Sequence, residues 1–442
     1  MQTGQPKRQI GMTVSACVWL GLFPLLSGFT YSRLTAHKFH IMLVLCAFTV
    51  LVFLSERFPF FRRRPAGAAG NRTSAVMRLL PFFLSAVLLL WTVLSCLFSH
   101  SGPDVWWISE KARYEGLASS LCYFAVFACF FFSSVRLKPV LLSAAAGVTL
   151  YLVIVLLQRI GGNPLGLFPP GRSYALNPEF QGTVGNIDMV TGYLLLLAGL
   201  FLYGMIGAVS DIRVRHKRCW FYLVILCLAL LVTLYLIITM KVQFGVVALA
   251  VLSFLTFLRF LPKKWRIPVL IIVIVLVLLL VWFWPGKDGG IWELHEILHG
   301  RGRLSFGSNR IAVWLFSLRL SRENLFLGGG SGTFVSRFNQ YLSDHDLLIP
   351  HEQDGKPLPH YFDNPHSEYI QQLTDHGIPA VLLFLALLAF AVFRRRDRLL
   401  PVLAPCSAAV LCYAVQAFFS FSVCIVAPMF WVILGMSFNE YR

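Results

Sequence analysis

Charge is what this chain has least of. Only 13% of its 442 residues are Asp, Glu, Lys or Arg, against about 25% in ordinary soluble domains. No stretch is long and polar enough for a soluble domain, and the widest gap between apolar runs lies at about residues 285–365. A CxxC pair is missing, and so is any cysteine within that gap. The ten cysteines, at positions 17, 46, 96, 122, 129, 219, 227, 406, 412 and 424, sit in or at the ends of apolar runs. This excludes a disulfide framework and leaves them as small buried apolar residues. No small-residue cleavage site follows the apolar run 11–31, so that run is expected to stay as a first span rather than leave as a signal peptide.

What is abundant is apolar sequence, 57% of the chain. It comes in runs of roughly 17–25 residues, the length that crosses a ~30 Å hydrocarbon core. Inside lipid the backbone must satisfy its own hydrogen bonds, so such runs are helices. The expectation is an all-α polytopic membrane protein with twelve spans: 10–31, 39–55, 79–98, 117–134, 139–158, 186–208, 220–239, 243–260, 267–284, 367–393, 400–419 and 422–438. The chain divides into spans one to nine (1–284), a large loop with surface helices (285–366) and spans ten to twelve (367–442).

The net charge of +18 fits topology-setting loops, not nucleic acid. With the N-terminus inside, the short cytoplasmic segments hold 23 Lys and Arg and the short outer loops hold 7. Such a bias places both termini in the cytoplasm and the large loop outside, in a plasma or inner membrane. Sixteen of the twenty acidic residues then fall on the outer side, which is where chemistry is expected. The tight turn at Lys241 must separate two spans. Reading 220–260 as one re-entrant unit would turn Arg394–Arg398 outward, against the bias.

Three outer segments carry polar residues beyond what topology needs. The first runs from Ser101 to Leu117. Its Trp106 and Trp107 read as interfacial anchors, and Arg113 and Glu115 at a helix entry are candidates to touch substrate. The second holds Arg159, Arg172 and the run Gln181-Gly182-Thr183-Val184-Gly185-Asn186. Asn186 reads as a helix N-cap, and a helix start beside two arginines favours anions. The third is the large loop. There, apolar positions 311, 314, 315, 318 and 325 recur at helical spacing. They predict a helix near the membrane surface over 310–326, with Arg310, Arg319 and Arg322 close to phosphates. The glycines 328, 329, 330 and 332 lack the lysine of a phosphate-binding loop, so they permit either backbone close to a ligand or merely a tight turn.

The loop also spells HExxH at His295-Glu296-Ile297-Leu298-His299, the pattern of zinc proteases on a helix. No third ligand has supporting context, so an amphipathic surface helix is the preferred reading and no metal or cofactor is assigned. His366 opens a span after an acidic loop, with Asp363 and Glu368 nearby. An imidazole there suits proton transfer at ambient pH, and a taskless interfacial histidine is the plain alternative.

The ordered segments RYEGL (113–117), GTVGNIDMVTGYLLL (182–196), SNRIAVW (308–314), NLFLGGGSGTF (324–334) and HSEYIQQLTDHGIP (366–379) resemble the O-antigen ligase/polymerase superfamily. The resemblance covers about two-thirds of the chain. It implies about twelve spans, a large extracytoplasmic loop, and an enzyme that moves a glycan from a polyprenyl (undecaprenyl) pyrophosphate to a sugar hydroxyl. The partners implied are a lipid-linked glycan donor, a glycan or glycolipid acceptor and the bilayer. Carried over by motif, Arg310 and His366 take the catalytic positions. Arg159, Arg172, Lys241, Arg319, Arg113 and Glu368 are candidates to bind the pyrophosphate or glycan. Two positions depart from the pattern: Ser367 stands where asparagine is common, and Lys241 where Ser-Arg is common. Lysine keeps the charge but lacks the bidentate fork.

The implied chemistry is metal-independent. Arginines balance the diphosphate by pre-organised electrostatics, and His366 takes or orients the acceptor proton. Two alternatives stand beside a ligase. One is a polymerase of the same superfamily. The other is a transporter or flippase, against which the spans offer few mid-membrane ionisable residues and no paired broken helices.

Overall fold

A computed structural model describes residues 10–28, 30–57, 72–110, 113–212, 218–347, 349, 352–353, 356–357, 362–394, 396–397, 400–401, 403–421 and 423–439. Helices dominate it. The first half holds α1 (Ile10–Cys17), α2 (Leu34–Arg57), α3 (Arg72–Leu97), α4 (Pro103–Ile108), α5 (Leu117–Phe131), α6 (Leu137–Arg159) and α7 (Ile187–Ile212). Next come α8 (Arg218–Met240), α9 (Gln243–Phe260) and α10 (Lys263–Trp282). The large loop contributes α11 (Gly289–Leu298), α12 (Arg310–Leu320) and α13 (Phe334–Asp344). The chain closes with α14 (Glu368–Phe393), α15 (Pro405–Gln416) and α16 (Ala427–Ser437).

Among the described residues, eight helices are long and apolar enough to cross a membrane. Four shorter apolar helices, Ile10–Leu25, Leu117–Phe131, Pro405–Gln416 and Ala427–Ser437, coincide with the other four expected spans. The turn at Lys241 does separate two helices. Lys241 takes φ 57° between the end of α8 and the start of α9.

The core is built around α7, which packs against α8 and α15. At Gly199 the backbone of Ala408 and Ala409 lies directly opposite, the close approach that small residues permit where lipid supplies no hydrophobic drive. By contrast, α10 buries none of its residues. The first apolar run is irregular. After α1 it passes through π (Val18–Leu22) and 3-10 (Phe23–Leu25) turns. Its loose carbonyls are taken by a buried cation: Lys38 Nζ donates to Phe23 O at 2.7 Å and to Pro24 O at 3.0 Å. Lys38 is thus inside the bundle, not in an outer loop as its sequence position suggested.

Helix α14 is broken at Gly377, whose φ 78°, ψ −178° is open essentially only to glycine. The break frees carbonyls that lipid cannot satisfy, and the glycine run supplies the donors. Gly329 N–H reaches Thr374 O at 3.0 Å and Gly330 N–H reaches Asp375 O at 2.8 Å. Ile378 N–H returns to Leu325 O at 2.8 Å. From α3, Ser95 Oγ donates to Asp375 O at 2.7 Å and Trp91 Nε1 to His376 O at 2.9 Å. The glycines thus bring their backbone close to the broken helix, a partner that neither reading of the run named.

The loop helices form a second small core, in which Val313, Phe316 and Leu320 of α12 meet Phe334 and Phe338 of α13 and Phe362. The expected helix over 310–326 therefore ends early, at Leu320, and continues as a 3-10 turn over Ser321–Asn324. The HExxH residues lie at the C-terminal end of α11. His295 Nδ1 pairs with Val281 O at 3.0 Å and His299 Nδ1 with His295 O at 2.8 Å. Glu296 forms an ion pair with Arg301 at 2.7 Å.

Candidate functional site

Two consecutive left-handed residues, Ser308 (φ 56°) and Asn309 (φ 68°), lead into α12. That conformation costs roughly 1–2 kcal/mol for most L-residues, less for asparagine. Its effect is to set Arg310 at the first position of the helix. There the guanidinium Nη2 lies 3.7 Å from Asp188 Oδ2, and its Cζ 5.8 Å from the Phe244 ring centroid. Its Nε is buried with no hydrogen-bond partner among the described residues. Asp188 stands in the first turn of α7, where Asn186 Oδ1 accepts the Asp188 N–H at 2.8 Å. Asn186 is therefore the N-cap its sequence context predicted.

The hairpin before α7 holds a second guanidinium. Strands β1 (Phe180–Gln181) and β2 (Gly185–Asn186) pair antiparallel, Phe180 with Asn186 and Gln181 with Gly185. Arg159 Nη2, at the end of α6, donates to Gln181 Oε1 at 3.0 Å and to Thr239 Oγ1 at 2.9 Å. Its Nε, too, is buried without a partner among the described residues. One short hairpin thus joins the mount of Arg159 to the anchor of Arg310.

One turn after Arg310, Trp314 Nε1 donates to Pro365 O at 2.8 Å. This fixes the residue that precedes His366 to the helix that carries Arg310. A ring chain closes the same gap: Arg310 over Phe244, Phe244 stacked on Phe419, and Phe419 against Trp314. His366 itself takes φ 50°, donates its backbone N–H to Asn364 Oδ1 at 2.8 Å, and sets its ring edge-on to Phe421 at 5.6 Å. On Phe421 also lies the Arg113 guanidinium, 4.5 Å from the ring centroid. Arg113 is ion-paired with Asp363. Burial lowers it to about 10, against the opposing pull of Glu115.

Beside this group lies a cavity of about 100 Å³ between α3, α5, α14 and α16, lined among others by Arg113, Glu115, Asp363, Glu368, Asp375 and His376. Tyr123 donates its hydroxyl to Glu115 at 3.0 Å. Burial, then the charge of Glu368, hold the Glu115 acid well above the usual carboxylate range. Under the cavity His376 bridges Ser331 Oγ at 2.8 Å and Gln372 Oε1 at 3.0 Å, tying the glycine run to α14. Arg337 of α13 reinforces the tie through Thr374 O at 2.7 Å and Asp375 Oδ1 at 3.5 Å.

Of the candidates from sequence, the structure links Arg310, His366, Arg113 and Arg159 through shared neighbours and sets Glu368 in the cavity wall. Arg172, Lys241 and Arg319 are exposed. Arg319 also stands nine residues beyond Arg310, roughly 13 Å along the helix axis. Sequence reasoning missed Asp188, Phe244 and Phe421. Asp188 alone carried a signal, as an acidic residue in the first turn of a buried span.

The fold and these clustered charges define a polytopic helical membrane protein with a polar, arginine-rich centre where its large loop meets the helices. Residues 227–385 match the O-antigen ligase family. This match supports the O-antigen ligase/polymerase superfamily and a place in polysaccharide biosynthesis. The matched region takes in Arg310, His366 and Glu368, and stops short of Arg113 and Arg159. No curated protein matches the chain.

Proposed function

We propose that the protein transfers a glycan from a polyprenyl pyrophosphate to a sugar hydroxyl on the outer face of the membrane, as an O-antigen ligase does. Twelve crossings, with both termini cytoplasmic, belong to this reading. In the step, the acceptor oxygen attacks the anomeric carbon and the carbon–oxygen bond to the diphosphate breaks with inversion. The electron pair leaves on the diphosphate. The acceptor proton passes to the His366 imidazole.

Arg310 and Arg159 balance the leaving charge. Guanidinium suits this task because its planar fork meets two phosphate oxygens at once, and fixed donors in a water-poor site cost little reorganisation. Asp188 keeps Arg310 aimed without using its Nε. Arg113 and Glu368 lie on the saccharide side, and Arg172, Lys241 and Arg319 take no part in the step. The observation that carries this reading is the Trp314–Pro365 hydrogen bond of 2.8 Å, because it locks the phosphate-type cation and the acid–base imidazole to one frame.

Mass spectrometry of lipid-linked glycans tests it in cells. Deleting the gene is expected to build up a polyprenyl-pyrophosphate glycan that the wild-type gene, but not R310A or H366A, clears. An unchanged lipid-linked pool would count against the proposal. A longer glycan still on polyprenyl pyrophosphate would assign the polymerase branch of the superfamily instead of the ligase branch.

A further inference from the structure

The cavity beside His366 holds more chemistry than the transfer step uses. Amide and carboxyl groups come from Gln371, Gln372 and Glu368 of α14 and from Glu115 before α5. Flat rings come from Phe421 and Trp431. Gln372 Nε2 donates to Glu368 Oε1 at 3.1 Å, so this wall is already ordered for hydrogen bonding.

Charge argues against an anion here. Among the described residues, Arg113 is the one Arg or Lys in the lining, and Asp363 pairs with it. A diphosphate would face Glu368 and Asp375 instead. Glu115 keeps its proton beyond the usual carboxylate range because of burial and the Glu368 charge. An acid O–H beside a carboxylate thus offers donor and acceptor together, and a sugar hydroxyl needs both. About 100 Å³ takes on the order of three waters at ~30 Å³ each, room for the hydroxyl-bearing edge of one sugar ring.

We propose that this cavity is a subsite for one neutral sugar ring of the acceptor glycan, with Glu115, Glu368 and Gln372 bonding its hydroxyls and Trp431 or Phe421 flanking its face. The inference rests on the transfer reading for the word acceptor, and on the cavity alone for the neutral sugar. It makes Glu115, Gln372 and Trp431 specificity-determining residues, since the ring they admit must present a hydroxyl toward His366.

The test uses the full chain in lipid nanodiscs as wild type, Glu115→Met and Trp431→Leu. Polyprenyl-pyrophosphate glycan and acceptor glycolipid, both extracted from the host, are titrated separately. Saturation-transfer NMR with glucose, galactose and N-acetylglucosamine runs in parallel. Each variant is expected to raise the half-saturating acceptor concentration by about tenfold, the scale of one lost hydrogen bond or ring contact. The donor half-saturation and kcat stay unchanged, and a sugar signal seen with wild type is lost.

A rise in donor half-saturation in place of the acceptor's would overturn the assignment. Unchanged acceptor half-saturation with no sugar signal would also overturn it while leaving transfer intact. Wild-type protein that binds a sugar, loses it in both variants and transfers nothing would uphold the subsite and defeat the transfer reading. Glu115→Met keeps the side-chain length without its donor and acceptor and carries the test alone should Trp431→Leu fail to fold.

Discussion

Arg310 Nη2 stands 3.7 Å from Asp188 Oδ2, and the same guanidinium keeps a buried Nε with no hydrogen-bond partner among the described residues. A cation held by one acid yet left with an unused donor is arranged to receive an anion. Arg310→Ala is expected to lower transfer by about 10²–10³-fold, the usual loss when one pre-organised donor is removed. Arg310→Lys keeps the charge without the fork and should fall between that and wild type. Initial rates with a lipid-linked donor check the order; an Arg310→Lys rate equal to wild type would deny the fork its role.

Trp314 links the two halves of the centre, so Trp314→Phe isolates the link. The ring contacts with Phe418 and Phe419 survive, and only the N–H to Pro365 O is lost. The expected outcome is a stability loss of about 1 kcal/mol and a fall in kcat with donor KM unchanged. A variant with wild-type kcat would show that His366 is placed by other contacts.

Gly377 is the point at which α14 breaks, and a Cβ there would collide with the backbone of Phe326. Gly377→Ala is expected to cost at least about 1–3 kcal/mol, read as a lower midpoint of thermal unfolding in detergent. A midpoint equal to wild type would mean that the helix can close over this position.

Glu115 makes stability depend on pH. Its folded-state value is raised above the ordinary 4.5, so its contribution is full below 4.5. It is lost as pH rises through the raised value, because the unfolded chain ionises first. Thermal midpoints of wild type should therefore decline over that window, and those of Glu115→Gln should decline less. Parallel curves would place the acid elsewhere.

Much of the fold was legible because apolar length acts locally. The long apolar helices, the Lys241 turn and the Asn186 cap each follow from a few neighbouring residues. What stayed hidden depends on distant partners. Nothing near Arg310 in sequence announces Asp188, which is more than a hundred residues away. Nothing in an apolar run announces that Gly377 breaks its helix and that Gly329 and Gly330 repair the hydrogen bonds. Lys38 looked like a loop cation because its carbonyl partners lie in an irregular helix that no periodicity reveals. The motif arginines were visible as a set. Only packing separates Arg159 and Arg310, each half-buried, from Arg172, Lys241 and Arg319 at the surface.

The account is tested most directly by purified protein in nanodiscs given a polyprenyl-pyrophosphate saccharide and an acceptor glycolipid, with released polyprenyl pyrophosphate and product counted by mass spectrometry. Wild type is predicted to form both in equal amounts, and Arg310→Ala and His366→Ala to form both at least about 100-fold more slowly while remaining folded. Undiminished release by either variant would contradict it.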